Sequence, residues 1–232
     1  GIALFRGECL DWREIDFYSS CTEWRVIFIG RDVGGAVQYL CGQGRGHTLY
    51  QPHYRTIWPW MKSGGDVTST SEIVLPSFDD LLQRTDVLNA PEVYSCLSAQ
   101  AVRAADRLGK FVTITVWETL PKHITRWLPP YAANIRYVTQ RVNLFLPVTE
   151  RAAAYLQSLG VRGDRIEVLS PGVRLDRFVP ADNAHDGCRV LFVGRLVPEK
   201  GVRDLLVAFA QAVRTNSHLE LWICGRGPLQ CE

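Results

Sequence analysis

The chain has 232 residues, of which 47% are hydrophobic and 22% charged, and its formal net charge is +2. This length suits one and a half to two globular domains, and the small charge excess argues against a dedicated nucleic-acid binder. No apolar run approaches the ~20 residues that span a bilayer. The seven cysteines are scattered without a CxxC pair, which argues against zinc and a disulfide framework and favours a reducing, cytoplasmic setting.

Short apolar segments bounded by polar residues or glycine predict strands along the first part of the chain. In chain order these strands are at 2–5, 24–30, 86–90, 111–117, 144–147 and 166–169. Helices are predicted at 9–20, 95–108 and 151–159, with a loop or frayed helix at 34–46 and a connector at 57–65. Helices that alternate with short apolar strands indicate right-handed βαβ units and therefore a parallel sheet.

The strand–helix pattern restarts after a polar, turn-forming segment at 180–187. The sequence then predicts a strand at 190–194, a helix at 202–213 and a strand at 219–225. We therefore expect an N-terminal domain over 1–180, a linker at 181–187 and the beginning of a second domain at 188–232. One continuous large sheet is the alternative. The pattern stops where further neighbours are needed, so we also expect a fragment.

The strand that ends at Gly194 is followed by two cations, Arg195 and Lys200, and by a helix that begins after Gly201. Open α/β sheets bind ligands at the carboxyl ends of their strands, and the N–H groups at a helix start attract anions. Arg195 can hold phosphate oxygens through two parallel hydrogen bonds, and Lys200 supplies a compact charge. This pattern indicates a site for the diphosphate of a nucleotide-activated sugar. A solvated turn with two ordinary surface cations is the alternative.

Four motifs follow one another in the second half of the chain. They are Val-Thr-Glu-Arg at 148–151, Ser-Pro-Gly-Val-Arg-Leu-Asp-Arg-Phe at 170–178, Gly-Arg-Leu-Val-Pro-Glu-Lys-Gly at 194–201 and Leu-Glu-Leu-Trp-Ile-Cys-Gly-Arg-Gly-Pro at 219–228. Together they resemble glycosyltransferase family 4. The resemblance implies an α/β protein of GT-B type, with two Rossmann-like domains of doubly wound parallel sheets, the second of them incomplete in this chain.

The resemblance also implies donor-side residues. Arg195 and Lys200 match the pair that binds the donor diphosphate. Further contacts with the nucleotide sugar are implied at Gly172, Gly194, Gly225, Arg226 and Gly227. A glycine turn lets the backbone approach a ligand closely because it has no Cβ. For Gly172, a plain turn after the preceding proline is nearly as good an interpretation.

On the acceptor side the chain departs from the family pattern. Where many relatives have two glycines after the first strand, this chain has Arg6 and Gly7, so the charge of Arg6 can replace a backbone contact. Where relatives commonly have histidine, it has Trp117 followed by Glu118, a pair that marks a subset of the family. Glu118 is the candidate catalytic group, as a base or as a ligand of an acceptor hydroxyl. A carboxylate that stabilises a helix start is the alternative.

The implied activity is the transfer of a hexose from a nucleoside-diphosphate sugar to a hydroxyl of a glycan, lipid or small-molecule acceptor, with retention of configuration. No cofactor or metal is expected, because two cations can neutralise the diphosphate and the chain has no Asp-x-Asp triplet. The family's glutamate pair would lie beyond residue 232, so this chain alone is expected to be inactive.

Alternative functions stay open. They are another GT-B enzyme, such as a nucleotide-sugar epimerase or a sugar-phosphate synthase, and a non-catalytic module that binds sugar nucleotides. An NAD-dependent oxidoreductase would need Gly-x-Gly-x-x-Gly after the first strand, which this chain lacks. The aromatic and cationic segments at 53–62 and 127–131 fit either peripheral contact with the inner face of a membrane or packing under a sheet edge.

Overall fold

The structure, a computed structural model, divides the chain into two compact units, residues 1–174 and 175–232. It describes residues 1–6, 23, 25–30, 38, 41–42, 48–50, 55–56, 73–74, 78–120, 127–172, 175–178 and 188–231. Several predictions fall outside these residues: the helix at 9–20, most of 34–46, the connector at 57–65, the linker at 181–187, and Gly7.

The first unit contains eight described strands. They are β1 (Ile2–Arg6), β2 (Val26–Gly30), β3 (Thr48–Tyr50), β4 (Arg55–Thr56), β5 (Ile73–Val74), β6 (Val87–Pro91), β7 (Phe111–Val116) and β8 (Leu144–Pro147). Strands β4 and β5 pair with each other antiparallel. The other six form one parallel sheet in the order β3-β2-β1-β6-β7-β8. The order reverses between β1 and β6, and ligands of open α/β sheets bind at such a reversal, beyond the carboxyl ends of the strands.

Local signals determine where the main helices begin and end. The described helices of this unit are α1 (Asp79–Leu82), α2 (Cys96–Leu108), α3 (Tyr131–Arg141) and α4 (Glu150–Ser158). The Ser95 hydroxyl accepts the Leu97 N–H at 3.1 Å and starts α2, and Gly109 ends it in the left-handed region with φ 63°. The Thr149 hydroxyl starts α4 by accepting the Ala152 N–H at 3.1 Å.

The core of the first unit lies between the parallel sheet and these helices. It includes residues of β1, β2, β6, β7 and β8, and the largest fully buried side chains of the unit come from both strands and helices. Each of those side chains is less than 2% exposed: Phe28, Phe145, Ile29, Leu82, Leu88, Leu97, Ile114, Leu156, Val26 and Val93. The core therefore fixes the register of the strands whose ends carry the candidate site.

The prediction of a strand at 166–169 was wrong. Ile166 makes one isolated bridge to Phe145. The N–H of Glu167 then donates to the Phe145 carbonyl at 3.0 Å, and that of Leu169 to the Pro147 carbonyl at 2.9 Å. A further parallel bridge needs an N–H at residue 147, and proline has none. The ladder therefore stops after one bridge.

The second unit contains one β-α-β element. Strands β9 (Arg189–Val193) and β10 (Glu220–Cys224) are parallel, and helix α5 (Val202–Thr215) connects them, which confirms the predicted restart. The side chains that alternate on one face of these strands stay exposed: Leu191 is 59%, Val193 72% and Trp222 50% exposed. Within the described part of the chain, no helix has the length and apolarity that a membrane crossing requires.

Candidate functional site

The predicted acceptor-side pair lies directly after β7, at the carboxyl edge of the parallel sheet. Trp117 and Glu118 follow the last residue of that strand, Val116. The neighbouring strand β6 is followed by Glu92, whose N–H still donates to the Thr115 carbonyl of β7 at 2.9 Å. The parallel register therefore brings a third residue, Glu92, next to the predicted pair.

The Glu92 side chain is bound to the backbone of the predicted pair. Its Oε1 accepts the Trp117 N–H at 2.8 Å, and its Oε2 accepts the Glu118 N–H at 3.4 Å. Glu92 is only 9% exposed, and its φ of 60° lies in the left-handed region, which a non-glycine residue seldom adopts. A buried carboxylate and an unusual backbone angle thus coincide at this edge.

The electrostatics of the cluster favour neutral side chains. The pKa of Glu92 is raised to about 7, mainly by burial and also by the Glu118 carboxylate, although the two backbone N–H donors oppose the shift. Burial also raises the pKa of the Tyr94 phenol, and the nearby charges of Glu92 and Glu118 add to that effect. A carboxyl group whose pKa lies near neutrality can change its charge under physiological conditions.

The side chain of Glu118 turns back onto its own loop. Its Oε1 accepts the N–H of Thr119 at 2.8 Å and that of Leu120 at 2.7 Å. The arrangement resembles the alternative for this residue, a carboxylate that stabilises the backbone that follows it. A role on an acceptor hydroxyl would require Glu118 to exchange these two bonds. Trp117 projects beside it and is 54% exposed.

The remaining acceptor-side residues lie at the end of the first strand. Arg6 is the last residue of β1, so its backbone lies at the same carboxyl edge, beside β6 at the reversal of strand order. Gly7 lies outside the described residues. The structure thus brings the backbone of Arg6 to the edge that also carries the cluster of Glu92, Trp117 and Glu118.

In the second unit, the loops that leave β9 and β10 are hydrogen-bonded to each other. The N–H of Gly194 donates to the Cys224 carbonyl at 3.0 Å, and the N–H of Leu196 to the Arg226 carbonyl at 2.9 Å. These bonds continue the parallel ladder beyond the strands. They place the predicted donor residues Arg195 and Arg226 on adjacent loops at one end of the unit.

At two of the glycines predicted to contact the nucleotide sugar, the loops lie so close together that no side chain fits. A Cβ on Gly225 would lie well inside contact distance of the Gly194 carbonyl oxygen, and a Cβ on Gly227 would collide with the Leu196 carbonyl. By contrast, Gly172, in the first unit, is exposed and has no atom within 4 Å of an added Cβ. The side chain is therefore excluded at 225 and 227 by the neighbouring backbone, whereas residue 172 is free of that constraint.

The predicted phosphate-binding cations are exposed. Arg195 follows Gly194 at the end of β9, and Lys200 ends a short 3-10 turn, Pro198–Lys200. Gly201 follows in the left-handed region with φ 67° and starts α5. This loop therefore presents two cations and the amino end of a 14-residue helix at one end of the second unit.

The comparisons with known proteins fit this fold. No family model matches the chain. A 66-residue alignment shows 42% identity to the D-inositol 3-phosphate glycosyltransferase of Acidothermus cellulolyticus and covers 25% of this chain and 15% of that protein. The Anabaena protein Alr3699/HepE, solved in complex with UDP and glucose, superposes over 97% of this chain and 61% of its own, with 12% identity and a TM-score of 0.67.

Two other solved structures show the same architecture. The lipopolysaccharide outer core galactosyltransferase WaaB covers 97% of this chain, with 16% identity and a TM-score of 0.53. A UDP-N-acetylglucosamine 2-epimerase covers 95%, with 11% identity and a TM-score of 0.53. The chain has the parallel-sheet α/β fold of GT-B glycosyltransferases and related epimerases, as the sequence predicted. It spans 61% of the HepE chain and 62% of that epimerase.

Proposed function

We propose that this chain is part of a GT-B glycosyltransferase that moves a hexose from a nucleoside-diphosphate sugar to an acceptor hydroxyl. The observation that carries the proposal is the 42% identity of one segment to a glycosyltransferase. The likeness over 97% of the chain to a protein that holds UDP and glucose supports it. In this proposal the enzyme belongs to family 4, retains the anomeric configuration and needs no metal.

The proposed protein is longer than this chain. Residues 1–180 form its acceptor domain, 181–187 are the linker, and residues from 188 onward begin its donor domain. The exposed apolar face of β9 and β10, with Leu191, Val193 and Trp222, supports an incomplete second sheet, since such residues are usually covered. We expect this chain alone to bind ligand without completing a transfer.

On the donor side, Arg195 and Lys200 bind the diphosphate. The guanidinium holds oxygen atoms in a fixed geometry, the ammonium adds a point charge, and the start of α5 adds N–H donors. Both cations stabilise the negative charge that grows on the departing nucleotide, so neither a metal nor a cofactor is required. Gly225 and Gly227 keep the two loops close, with Gly225 against the backbone of Gly194, which brings Arg226 to the same ligand.

On the acceptor side, Trp117 offers an aromatic face to the acceptor, and Glu118 accepts a hydrogen bond from its hydroxyl. In this proposal Arg6, the last residue of β1 at the same sheet edge, and Gly7, the next residue in the sequence, also serve the acceptor side. A glycan, a lipid or a small molecule that carries a hydroxyl fits this proposal.

Calorimetric titration of the chain with UDP and GDP tests the donor side. Arg195→Ala and Lys200→Ala should each weaken binding about tenfold to a hundredfold, the effect of losing a charge-assisted hydrogen bond. Arg214→Ala is the matched control, because Arg214 is an exposed cation in the last turn of α5, at the other end of the helix. Equal affinity of all four proteins would show that the loop does not bind the diphosphate.

A nucleotide-sugar epimerase is the second candidate, since a UDP-N-acetylglucosamine 2-epimerase shares the fold over 95% of the chain. Product analysis separates the two candidates. The longer protein is incubated with UDP-glucose or UDP-N-acetylglucosamine, with and without alcohol acceptors. A glycoside together with free UDP supports transfer, whereas an isomerised UDP-sugar with no free UDP supports epimerisation.

A further inference from the structure

The hydrogen bond between Glu92 and Trp117 replaces a bond of the parallel ladder. Pro91 pairs with Thr115 in the register of β6 and β7, and the N–H of Glu92 donates to the Thr115 carbonyl. If the ladder continued, the next bond would join the Trp117 N–H to the backbone carbonyl of Glu92. The φ of 60° turns the chain out of the sheet at that residue, and the side-chain Oε1 accepts the bond instead, at 2.8 Å.

We propose that Glu92 is a positioning residue for the acceptor side, because its carboxylate takes the place of a backbone carbonyl and fixes the orientation in which Trp117 and Glu118 leave the sheet. The second oxygen does the same for the next amide, with Oε2 at 3.4 Å from the Glu118 nitrogen. That these residues face an acceptor rests on the proposed function, whereas the role of Glu92 in holding them does not.

Hydrogen bonds near Glu92 hold the ends of the strands that carry this interaction. The Ser98 hydroxyl donates to the Pro91 carbonyl at 2.6 Å and ties the end of β6 to α2. The Asn89 amide donates to the Thr113 hydroxyl at 2.9 Å and to the Thr115 hydroxyl at 3.2 Å, which ties β6 to β7 just before both strands end. Side-chain hydrogen bonds thus join β6 to β7 up to the residues just before Glu92.

The interaction depends on the charge of Glu92. A carboxylate offers lone pairs to both amides, whereas a protonated carboxyl presents one O–H, which conflicts with a second N–H donor. The titratable groups that act on it are Glu118, whose charge raises its pKa, and Tyr94, which is neutral. Because the pKa of Glu92 is about 7, the loop is held tightly above neutral pH and less tightly below it.

Amide NMR of the nitrogen-15-labelled chain between pH 5.5 and 8.5 tests the proposal. In the wild type, the Trp117 and Glu118 amide resonances should titrate together with a midpoint near that pKa. Their protection against hydrogen exchange should rise about tenfold across it, as expected for exchanging a neutral for a charge-assisted bond. In Glu92→Gln the joint titration should disappear. A titration that persists in Glu92→Gln overturns the proposal.

One further variant separates the side chain from the backbone turn, and another serves as the control. Glycine adopts φ near 60° without strain, so Glu92→Gly keeps the turn and removes only the carboxylate. Loss of Trp117 protection in Glu92→Gly supports the proposal, and retained protection shows that the turn alone positions the loop. Glu150→Gln, an exposed glutamate in the first turn of α4, is the matched control and should titrate like the wild type.

Unchanged core amides, such as those of Leu88 and Ile114, establish that each variant is folded. Titration of the wild type with UDP and with GDP is recorded on the same samples. If neither nucleotide binds, the proposed function fails, while the amide titrations still decide the role of Glu92.

Discussion

The carboxyl of Glu92 is buried, and burial raises the free energy of its charged form. The hydrogen bonds from two backbone N–H groups do not fully compensate for the lost hydration. Its pKa of about 7 therefore exceeds 4.5, the ordinary value for a glutamate side chain. The native chain binds this proton more tightly than the unfolded chain does. The resulting contribution to the free energy of unfolding is complete below pH 4.5 and is lost as the pH rises through 7.

Glu92→Gln should remove this pH dependence. The shift corresponds to about 3 kcal/mol of stability lost by the wild type between pH 4.5 and pH 8. The variant should therefore gain stability relative to the wild type as the pH rises, even though it loses the joint titration of the Trp117 and Glu118 amides. Urea unfolding followed by circular dichroism at pH 5 and pH 8 measures the difference. A difference between the two proteins that is the same at both pH values would refute this account.

Among the secondary structure elements, β9 and β10 depend on each other beyond their last paired residues. The bonds from Gly194 to Cys224 and from Leu196 to Arg226 hold their exit loops in register. Residues 225 and 227 lie against the facing backbone, so a side chain at either position forces the loops apart. The geometry of the loop that carries Arg195 thus depends on glycines about 30 residues further along the chain.

We expect Gly225→Ala and Gly227→Ala to open this pair of loops. Each should cost about 1–3 kcal/mol, the usual range for overpacking, and should lower UDP affinity together with the exchange protection of the Leu196 amide. Gly172→Ala serves as the control, since its Cβ would meet open space. Hydrogen exchange measured by NMR reports the result. Full protection of Leu196 in Gly225→Ala would contradict the contact.

At the scale of the whole molecule, the two units differ in how much apolar surface they bury. The continuous hydrophobic core belongs to the first unit. In the described residues of the second unit, the buried hydrophobic side chains are Leu196, 7% exposed, and Val202, 4% exposed. A β-α-β element with so small a core has a low free energy of unfolding by itself.

Paired substitutions in the two units should show this difference. Leu88→Ala removes a fully buried side chain from the first unit and should cost about 2–5 kcal/mol. Leu191→Ala changes a residue that is 59% exposed and should cost less than about 0.5 kcal/mol in this chain. Urea unfolding measures both. In a longer protein that completes the second sheet, Leu191→Ala should become costly, and an equally small cost there would argue against an incomplete domain.

Much of the fold follows from local patterns in the sequence. The strand Leu144–Pro147 was predicted to the residue, because its apolar run is bounded sharply on both sides. Helix α2 was predicted with its first and last turns, since Ser95 and Gly109 act within a few residues of its ends. Helix α3 was missed: it follows two prolines, and only Asn134, Ile135, Val138 and Thr139 are buried among its residues.

The candidate site divides in the same way. Local motifs single out a candidate donor loop with Arg195 and Lys200 and the candidate pair Trp117 and Glu118, because each motif is a short stretch of sequence beside a strand end; their roles stay predictions. Glu92 was missed, although it lies two residues after the predicted strand at 86–90, much as Glu118 follows the predicted strand at 111–117. Its role arises from a bond to a residue 25 positions away, and only strand register creates that bond.

The sequence alone determined the alternation of strands and helices and the strand ends at which charged residues collect, since hydrophobic periodicity and helix caps act over a few residues. Only the tertiary structure decided that Glu92 holds the loop after β7 and that Gly225 and Gly227 lie against a neighbouring loop. Those contacts join segments that are distant in the chain, and their geometry is set by how parallel strands align when the core packs.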